Sequence, residues 1–313
     1  MKRVSFLLAA LLITTFTVQL SAQQPINYDD IAILRWYSAN QTATIPAGPS
    51  PIALAFDGQH MWVANYSAGT VTEVQANDGT VIGTFNAGAR PWGLAYDGAN
   101  LWVANQTGAT VTKLRGTDGT VLGTYSTGAS SPRPGISFDG QYIWVPLPNR
   151  VLKLQASDGN MVGRYAVNGI AIATAFDGTS VWITTQGPNT VVRMAGDGIV
   201  LGTYTVGSNP WGIAFDGANM WVANQGGNTV SEVRVSDGTV LGTFNVGNMP
   251  TGVAFDGVNI WVANQGDNSV TKLLASNGAV VGTYNTGTRP YGIAFDGANI
   301  WVANLWESFV SKR

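Results

Sequence analysis

One phrase of about 40 residues recurs seven times along the chain, and it constrains the fold more than any other feature. Each copy has an aromatic-Asp-Gly turn with a tryptophan four residues after the glycine. The tryptophans are Trp62, Trp102, Trp144, Trp182, Trp221, Trp261 and Trp301, with spacings of 40, 42, 38, 39, 40 and 40 residues. A fixed period of this length is typical of propeller blades, each built from about four short strands. The sequence therefore predicts an all-β, seven-bladed β-propeller.

Each repeat divides into four strand-like runs, which we name a, b, c and d from the ring axis outward. An Asp-Gly turn joins a to b, a Gly/Asn loop joins b to c, and a second Asp-Gly or Asn-Gly turn joins c to d. The last repeat has no d strand, but residues 44–48 match the d strand at 84–88. We therefore expect four antiparallel strands per blade, with the N-terminal strand completing the last blade and removing an open sheet edge.

Composition excludes several classes of function. The chain has 313 residues, of which 11% are charged, and a net charge of −2, so no basic field attracts nucleic acid or an anionic membrane. Hydrophobic residues make up 45%, enough for a large core. Cysteine is absent, which excludes disulfides and thiolate metal sites.

The N-terminal segment has the pattern of a secretory signal. Lys2 and Arg3 precede an apolar run from Val4 to Val18, and Ser21-Ala22 offers small residues for cleavage. We predict a signal peptide at 1–22, a lead-in segment at 23–42 and the propeller at 43–313. The mature chain is expected to be an exported monomer without membrane insertion, located in the periplasm, outside the cell or at the cell surface.

The repeats resemble a known class at their second strand. Trp261-Val262-Ala263-Asn264 is similar to the repeat named for its Tyr-Val-Thr-Asn core, and residues 43–313 also resemble NHL-type repeats and, more distantly, the streptogramin B lyase family. The resemblance implies a seven-bladed propeller. The lyase family further implies a general base and a metal site made of histidine and glutamate, but its histidines have no counterpart here.

The third and fourth repeats depart from this pattern. Val145-Pro146-Leu147-Pro148 and Ile183-Thr184-Thr185 replace the Val-Ala-Asn core. The departures fit either sequence drift or a locally specialised face.

The acidic residues offer little chemistry. Twelve of 15 aspartates lie in the repeated turns, where Asp caps its own backbone. The single histidine, His60, lies in the first a–b turn and is expected to be ordinary turn surface. Glu73 and Glu232 occupy the strand-c position that holds Lys or Arg in the other five repeats, so we expect a solvated rim with weak ion pairs. No catalytic residue, metal site or cofactor is predicted.

Positions that differ between repeats mark the predicted binding surface. The residue before the strand-a Gly or Ala varies most, and the d–a loops that carry it all emerge on one face around the axis. Aromatic rings and guanidinium groups there suit sugars or peptides, although the same rings could equally pack between blades. The predicted ligand-binding residues are Trp92, Trp211, Tyr291, Arg90, Arg133, Arg289, Thr251 and Trp306.

These observations favour an exported, non-enzymatic binding or scaffold module that recognises a protein or a glycan through this funnel. The alternative is a metal-assisted lyase or hydrolase with its site in the central channel.

Overall fold

The computed structural model describes residues 42–128 and 131–313, so the predicted signal peptide and nearly all of the lead-in segment lie outside the described residues. Thr42 to Arg313 form one compact unit. All the helix-or-strand structure in the described ranges is β-strand. Within these ranges no helix has the length and apolar character needed to cross a membrane.

The strands follow the repeats in chain order. The first half of the chain holds β1 (Ala43–Pro46), β2 (Pro51–Phe56), β3 (His60–Asn65), β4 (Thr70–Gln75), β5 (Val81–Asn86), β6 (Pro91–Tyr96), β7 (Asn100–Asn105), β8 (Thr110–Arg115), β9 (Val121–Ser126), β10 (Ser137–Phe138) and β11 (Tyr142–Gln155). The second half holds β12 (Met161–Phe176), β13 (Val181–Gln186), β14 (Thr190–Met194), β15 (Val200–Thr205), β16 (Pro210–Phe215), β17 (Asn219–Asn224), β18 (Thr229–Arg234), β19 (Val240–Asn245), β20 (Pro250–Phe255), β21 (Asn259–Asn264), β22 (Ser269–Leu274), β23 (Val280–Asn285), β24 (Pro290–Phe295), β25 (Ile300–Asn304) and β26 (Phe309–Lys312).

These strands form a propeller-like ring of antiparallel sheets. Four sheets have four consecutive strands each, β2–β5, β6–β9, β16–β19 and β20–β23. A fifth has the order β1-β26-β25-β24, in which Ala43 pairs with Lys312 and Pro46 with Phe309. The sixth contains six strands, β10 to β15, and holds both the third and the fourth repeat. The described residues thus form six sheets. The prediction of seven separate four-stranded sheets, one for each repeat, was wrong.

The shared sheet arises where the fourth repeat lacks a strand break. In most repeats strand a opens with proline after a residue of positive φ, such as Arg90 (φ 55°) before Pro91. That pair keeps strand a separate from the preceding strand d, which ends earlier at Asn86, because proline has no N–H to donate to a continued ladder. The fourth repeat has Ala171 at this position, and β12 runs from Met161 to Phe176 without interruption. Strands d and a of successive repeats are therefore one strand.

Each repeat is closed by the same hydrogen-bonded clasp at its a–b turn. The indole Nε1 of the tryptophan donates to Oδ2 of the turn aspartate at 2.7–2.8 Å in all seven repeats. The other oxygen accepts backbone N–H bonds within the turn, as Asp256 Oδ1 does from Val258 and Asn259. Six of the tryptophans are 0% exposed and Trp261 is 6% exposed. Satisfying the indole N–H in this way allows these large rings to be fully buried.

Packing between blades depends on the same tryptophans and on one glycine per repeat. Trp102 stacks on Tyr125 of its own strand d, with ring centroids 5.6 Å apart. Phe85 of the first repeat packs over the c–d turn of the second, where a Cβ on Gly119 (φ +66°) would lie 2.2 Å from the ring. Glycine at that turn therefore supplies both the positive φ and the space for the neighbouring ring.

Candidate functional site

The structure separates the eight predicted ligand-binding residues into two layers on the face formed by the d–a and b–c loops. Trp92, Trp211, Tyr291 and Thr251 form an inner layer around the axis. Arg90, Arg289 and Trp306 lie on the outer rim, and half-buried Arg133 connects the two, with its guanidinium carbon 5.9 Å from the ring centroid of Trp92.

The inner layer is packed rather than presented to solvent. Trp92 is 9% exposed and Tyr291 is 8% exposed, while Trp211 is half-buried. The rings of Trp211 and Tyr291 meet edge-to-face, with centroids 5.9 Å apart and planes at 87°. Thr251 is fully buried, and its hydroxyl lies within hydrogen-bond distance of three backbone carbonyls, the shortest being that of Tyr291 at 3.0 Å. These residues therefore offer little surface for stacking on a ligand.

Polar groups of the inner layer converge on one hydroxyl. Burial raises the pKa of Tyr291 well above its usual range, against the opposing effect of the nearby Trp92 and Trp211 indoles and of the Arg133 charge. The phenol is therefore neutral at every physiological pH. The Nε1 atoms of Trp92 and Trp211 are buried, and neither has a hydrogen-bond partner among the described residues.

A cavity of about 260 Å³ occupies the axis beside this layer, and strand-a segments of all seven repeats line it. Most of the lining side chains are aliphatic, among them Leu54, Leu94 and Ile136. The exceptions are the three inner-layer aromatics and the threonines, namely Trp92, Trp211, Tyr291, Thr174 and Thr251. None of the described residues that line it is a carboxylate or a histidine. The lining thus lacks the side chains that metal-assisted chemistry at the channel needs.

The rim carries a continuous row of contacts across the last, first and second repeats. We call it the rim arc and define it by Arg289, Trp306, Ser50, Tyr66 and Arg90. The Arg289 guanidinium carbon lies 4.2 Å from the Trp306 ring centroid, and that of Arg90 lies 5.5 Å from the Tyr66 ring centroid. Ser50 joins the two halves, because its N–H donates to the Glu307 carbonyl at 3.0 Å and its carbonyl accepts from Tyr66 at 2.9 Å.

Trp306 is the most exposed aromatic side chain of the rim arc, at 64%. The loop beneath it is fixed by local hydrogen bonds. Asn268 Oδ1 accepts from the Arg289 N–H at 2.8 Å, and Glu307 Oε1 accepts from the Thr288 hydroxyl at 2.5 Å. Arg289 is held at φ 55°, so its guanidinium is presented from a constrained backbone. The sequence predicted Arg90, Arg289 and Trp306 on this face but gave no sign of the linking role of Ser50.

The strand-c position is buried in four repeats and half-buried in the other three, so the predicted solvated rim was wrong. Lys113 is 6% exposed and Glu73 is 3% exposed. The Lys113 ammonium reaches the next blade, where it donates to the Ala156 carbonyl at 2.7 Å, and it lies 5.2 Å from the Trp102 ring centroid. These cations therefore bridge blades and cover the clasp tryptophans.

His60 also departs from its predicted role as ordinary turn surface. Its side chain is 20% exposed, and its Nδ1 lies 3.2 Å from Asp57 Oδ2 and 3.1 Å from Glu73 Oε1. Burial raises the pKa of Glu73, His60 opposes this, and Asp57 adds to it. For Asp57 burial acts in the same sense, but hydrogen bonds from the turn backbone and Trp62 outweigh it and lower the pKa.

No protein-family model matches the chain, and no curated protein matches its sequence. Solved structures match its fold. A chain described as Kuenenia stuttgartiensis hydrazine synthase superimposes with a TM-score of 0.74 at 18% identity, covering 86% of this chain and 96% of that one. A streptogramin B lyase structure gives 0.73 at 20% identity, covering 87% and 96%. At such identities the likeness concerns the fold alone, and this chain has the fold of a β-propeller.

Proposed function

We propose that this chain is an exported β-propeller binding module that recognises a glycan or a protein through the rim arc. The observation that carries the proposal is the 64% exposure of Trp306 above a fixed arginine. Tryptophan, tyrosine and arginine are enriched among the residues that dominate binding at interfaces, and the rim arc combines all three.

The physical basis is a preformed stacking surface. An indole face packs on the apolar face of a sugar ring or on a peptide plane, and the neighbouring guanidinium adds planar hydrogen bonds. Because hydrogen bonds accepted by Asn268 and Glu307 already order the loop, binding loses little conformational entropy there. Arg90 and Tyr66 extend the same chemistry along the arc.

The proposed export rests on the signal pattern at 1–22. Intact mass measurement of the protein recovered from the periplasm or medium tests it. A measured mass equal to that of a chain beginning after Ala22 supports the proposal. Retention of the full-length chain inside the cell contradicts it.

We also propose that the six-stranded sheet functions as two blades, so that the ring has seven. Each half of that sheet keeps its own clasp, at Trp144 and at Trp182. The pairing of β11 with β12 shifts register between Pro148 and Arg150, next to the corner where a second blade begins. A crystal structure with a straight, unsplit sheet across this corner would contradict the seven-blade arrangement.

The test of binding is a glycan and peptide array probed with the mature chain, Trp306→Ala and Val258→Ala. Val258 is also 64% exposed, but it lies in an a–b turn at the opposite end of the blades, which makes it a matched control. We expect the first variant to lose binding with an unchanged thermal transition, and the second to bind normally. Equal binding by Trp306→Ala, or none by any form, contradicts the proposal.

A further inference from the structure

The first repeat alone combines two departures from the common pattern that meet in space, and one of them, the strand-c glutamate, has a counterpart at Glu232 in the fifth repeat. The a–b turn residue three after the aspartate is asparagine in four repeats, tyrosine in one and serine in one, but histidine at His60. The strand-c residue is a cation in five repeats but glutamate at Glu73. The only histidine of the chain therefore coincides with a charge reversal at the position that it contacts.

The resulting cluster has one proton donor shared by two acids. Asp57, His60 and Glu73 each offer a ligand atom, and these atoms all lie within 4.8 Å of one another. A single Nδ1–H cannot point at both carboxylate oxygens, so each ion pair is made at the expense of the other. A cation bound by all three side chains removes this competition.

Because both carboxylates are buried, sharing one hydrogen-bond donor between them costs free energy. The side chain of Glu73 is 4% exposed and that of Asp57 is 7% exposed. Within the described ranges, His60 is the single hydrogen-bonding or ion-pair partner of the Glu73 carboxylate. The Glu73 carboxylate has one imidazole as its partner, and the Asp57 carboxylate places a second negative charge beside it, whereas a divalent ion neutralises both. His60 is 20% exposed, which leaves a route from solvent.

We propose that Asp57, His60 and Glu73 bind one divalent transition-metal ion, with Zn²⁺ as the best match. An imidazole nitrogen favours transition metals over Mg²⁺ or Ca²⁺. Metal–ligand distances of about 2.0–2.2 Å in tetrahedral geometry put neighbouring ligand atoms roughly 3.3–3.6 Å apart. The two separations from His60 Nδ1, 3.2 Å to Asp57 Oδ2 and 3.1 Å to Glu73 Oε1, are close to this range. Three protein ligands leave a fourth position for water.

The surroundings already orient one ligand. Trp62 Nε1 donates to Asp57 Oδ2 at 2.8 Å, and the backbone N–H groups of Gln59 and His60 hold Oδ1. These outer contacts fix the carboxylate, as hydrogen bonds to metal ligands commonly do. The site lies at the a–b turn end of the first repeat, away from the rim arc, so it stands independently of the proposed binding function.

The fifth repeat supplies an internal control. It has Asp216 in the turn and Glu232 on strand c, but Asn219 where the first repeat has His60. Asn219 Nδ2 donates to Glu232 Oε1 at 2.9 Å, which satisfies the acid without offering a ligand nitrogen. His60→Asn therefore converts the first cluster into a copy of the fifth with little structural disturbance.

The experiment is zinc titration by calorimetry on chelator-treated protein purified without a polyhistidine tag, with elemental analysis of the product. We expect the unmodified chain to bind one equivalent and its thermal transition to rise with Zn²⁺. His60→Asn should bind about 100-fold more weakly or not at all, and its transition in chelator should match that of the unmodified chain.

Glu73→Gln is the second variant, because it keeps the side-chain shape and removes the ligand charge, and it should also lose binding. Absence of zinc binding by the unmodified chain overturns the proposal. Zinc affinity that is unchanged in both His60→Asn and Glu73→Gln also overturns it, since the ion would then lie elsewhere.

Discussion

The two ends of the ring are built on opposite principles. At the a–b turn end every repeat makes the same Asp–Trp clasp, with seven N–H···O distances between 2.7 and 2.8 Å. At the d–a loop end the corresponding side chains differ in nearly every repeat. The uniform end satisfies a requirement that each blade has separately, namely burial of a large indole. The varied end is free of that requirement, and recognition is expected there.

The varied end is itself divided. Trp92 and Tyr291 are buried in the inner layer, whereas Trp306 is exposed on the rim arc. Positions at which the residue type differs between repeats are therefore of two kinds: some side chains fill the space around the axis, and others face solvent.

The largest expected effect separates these two layers. Trp92→Ala should lower the free energy of unfolding by about 3–5 kcal/mol, because it removes a buried ring beside the axial cavity. Trp306→Ala should change it by less than about 0.5 kcal/mol. Urea unfolding followed by circular dichroism measures both. Similar losses for the two variants would remove the distinction between inner layer and rim arc.

The next effect tests the uniform end. Asp256→Ala should cost about 2–3 kcal/mol, because it leaves the indole N–H of buried Trp261 without a partner and removes two backbone N–H bonds. Asp237→Ala is the control, since that aspartate caps an exposed c–d turn. We expect a clearly smaller loss of stability for the control in the same unfolding assay. Equal losses would show that the hydrogen bond to the tryptophan adds nothing to the stability of an ordinary turn.

A smaller effect tests the strand-c position. Glu232→Lys should stabilise the chain by about 1 kcal/mol, because an ammonium there can cover Trp221 and reach a carbonyl of the next blade, as Lys113 does. Glu232→Gln separates removal of the buried charge from the gain of the cation. Differential scanning calorimetry measures both, and destabilisation by lysine would contradict the bridging role.

The smallest effect per site is a dependence on pH. Burial raises the pKa of Asp177, Asp256 and Asp296, but hydrogen bonds outweigh it and hold each pKa below its usual value of 3.8. Their contribution to stability is therefore full above that value and is lost as the pH falls through the folded-state pKa. Burial raises the pKa of Glu232, so its penalty applies at neutral pH and is relieved as the pH falls toward 4.5.

Urea unfolding between about pH 7 and about pH 2.5 measures this dependence. Asp256→Asn should flatten the acid limb, and Glu232→Gln should remove the gain that protonation of Glu232 gives as the pH falls toward 4.5. An acid limb of unchanged slope in Asp256→Asn would contradict the lowered pKa.

Much of the fold could be predicted from sequence because its determinants are local. The period, the Asp-Gly turns and the alternating strands each depend on residues only a few positions apart. The shared six-stranded sheet could not, because it depends on how strands d and a of neighbouring repeats join when Ala171 replaces a proline. That outcome is a property of the assembled ring.

The site was harder to predict because exposure is decided in three dimensions. Nothing near Trp92 or Trp306 in the sequence says which ring is buried. The His60–Glu73 cluster did leave a signal, a paired departure from the other repeats, but the two residues are thirteen positions apart and only the pairing of β3 with β4 brings them together.

The pairing of β1 with β26 has a consequence for how the chain folds. Five of the six sheets use strands that are close in sequence, whereas Thr42 and Arg313 meet across 271 positions. Loop closure over that distance is entropically costlier than over a hairpin, and a chain emerging from the ribosome cannot attempt it until β26 has been made. Ile45 packs against both the first and the last repeat in the folded chain, so its burial is incomplete until β26 has paired with β1. The earliest of the described strands to be synthesised is thus among the last to be placed.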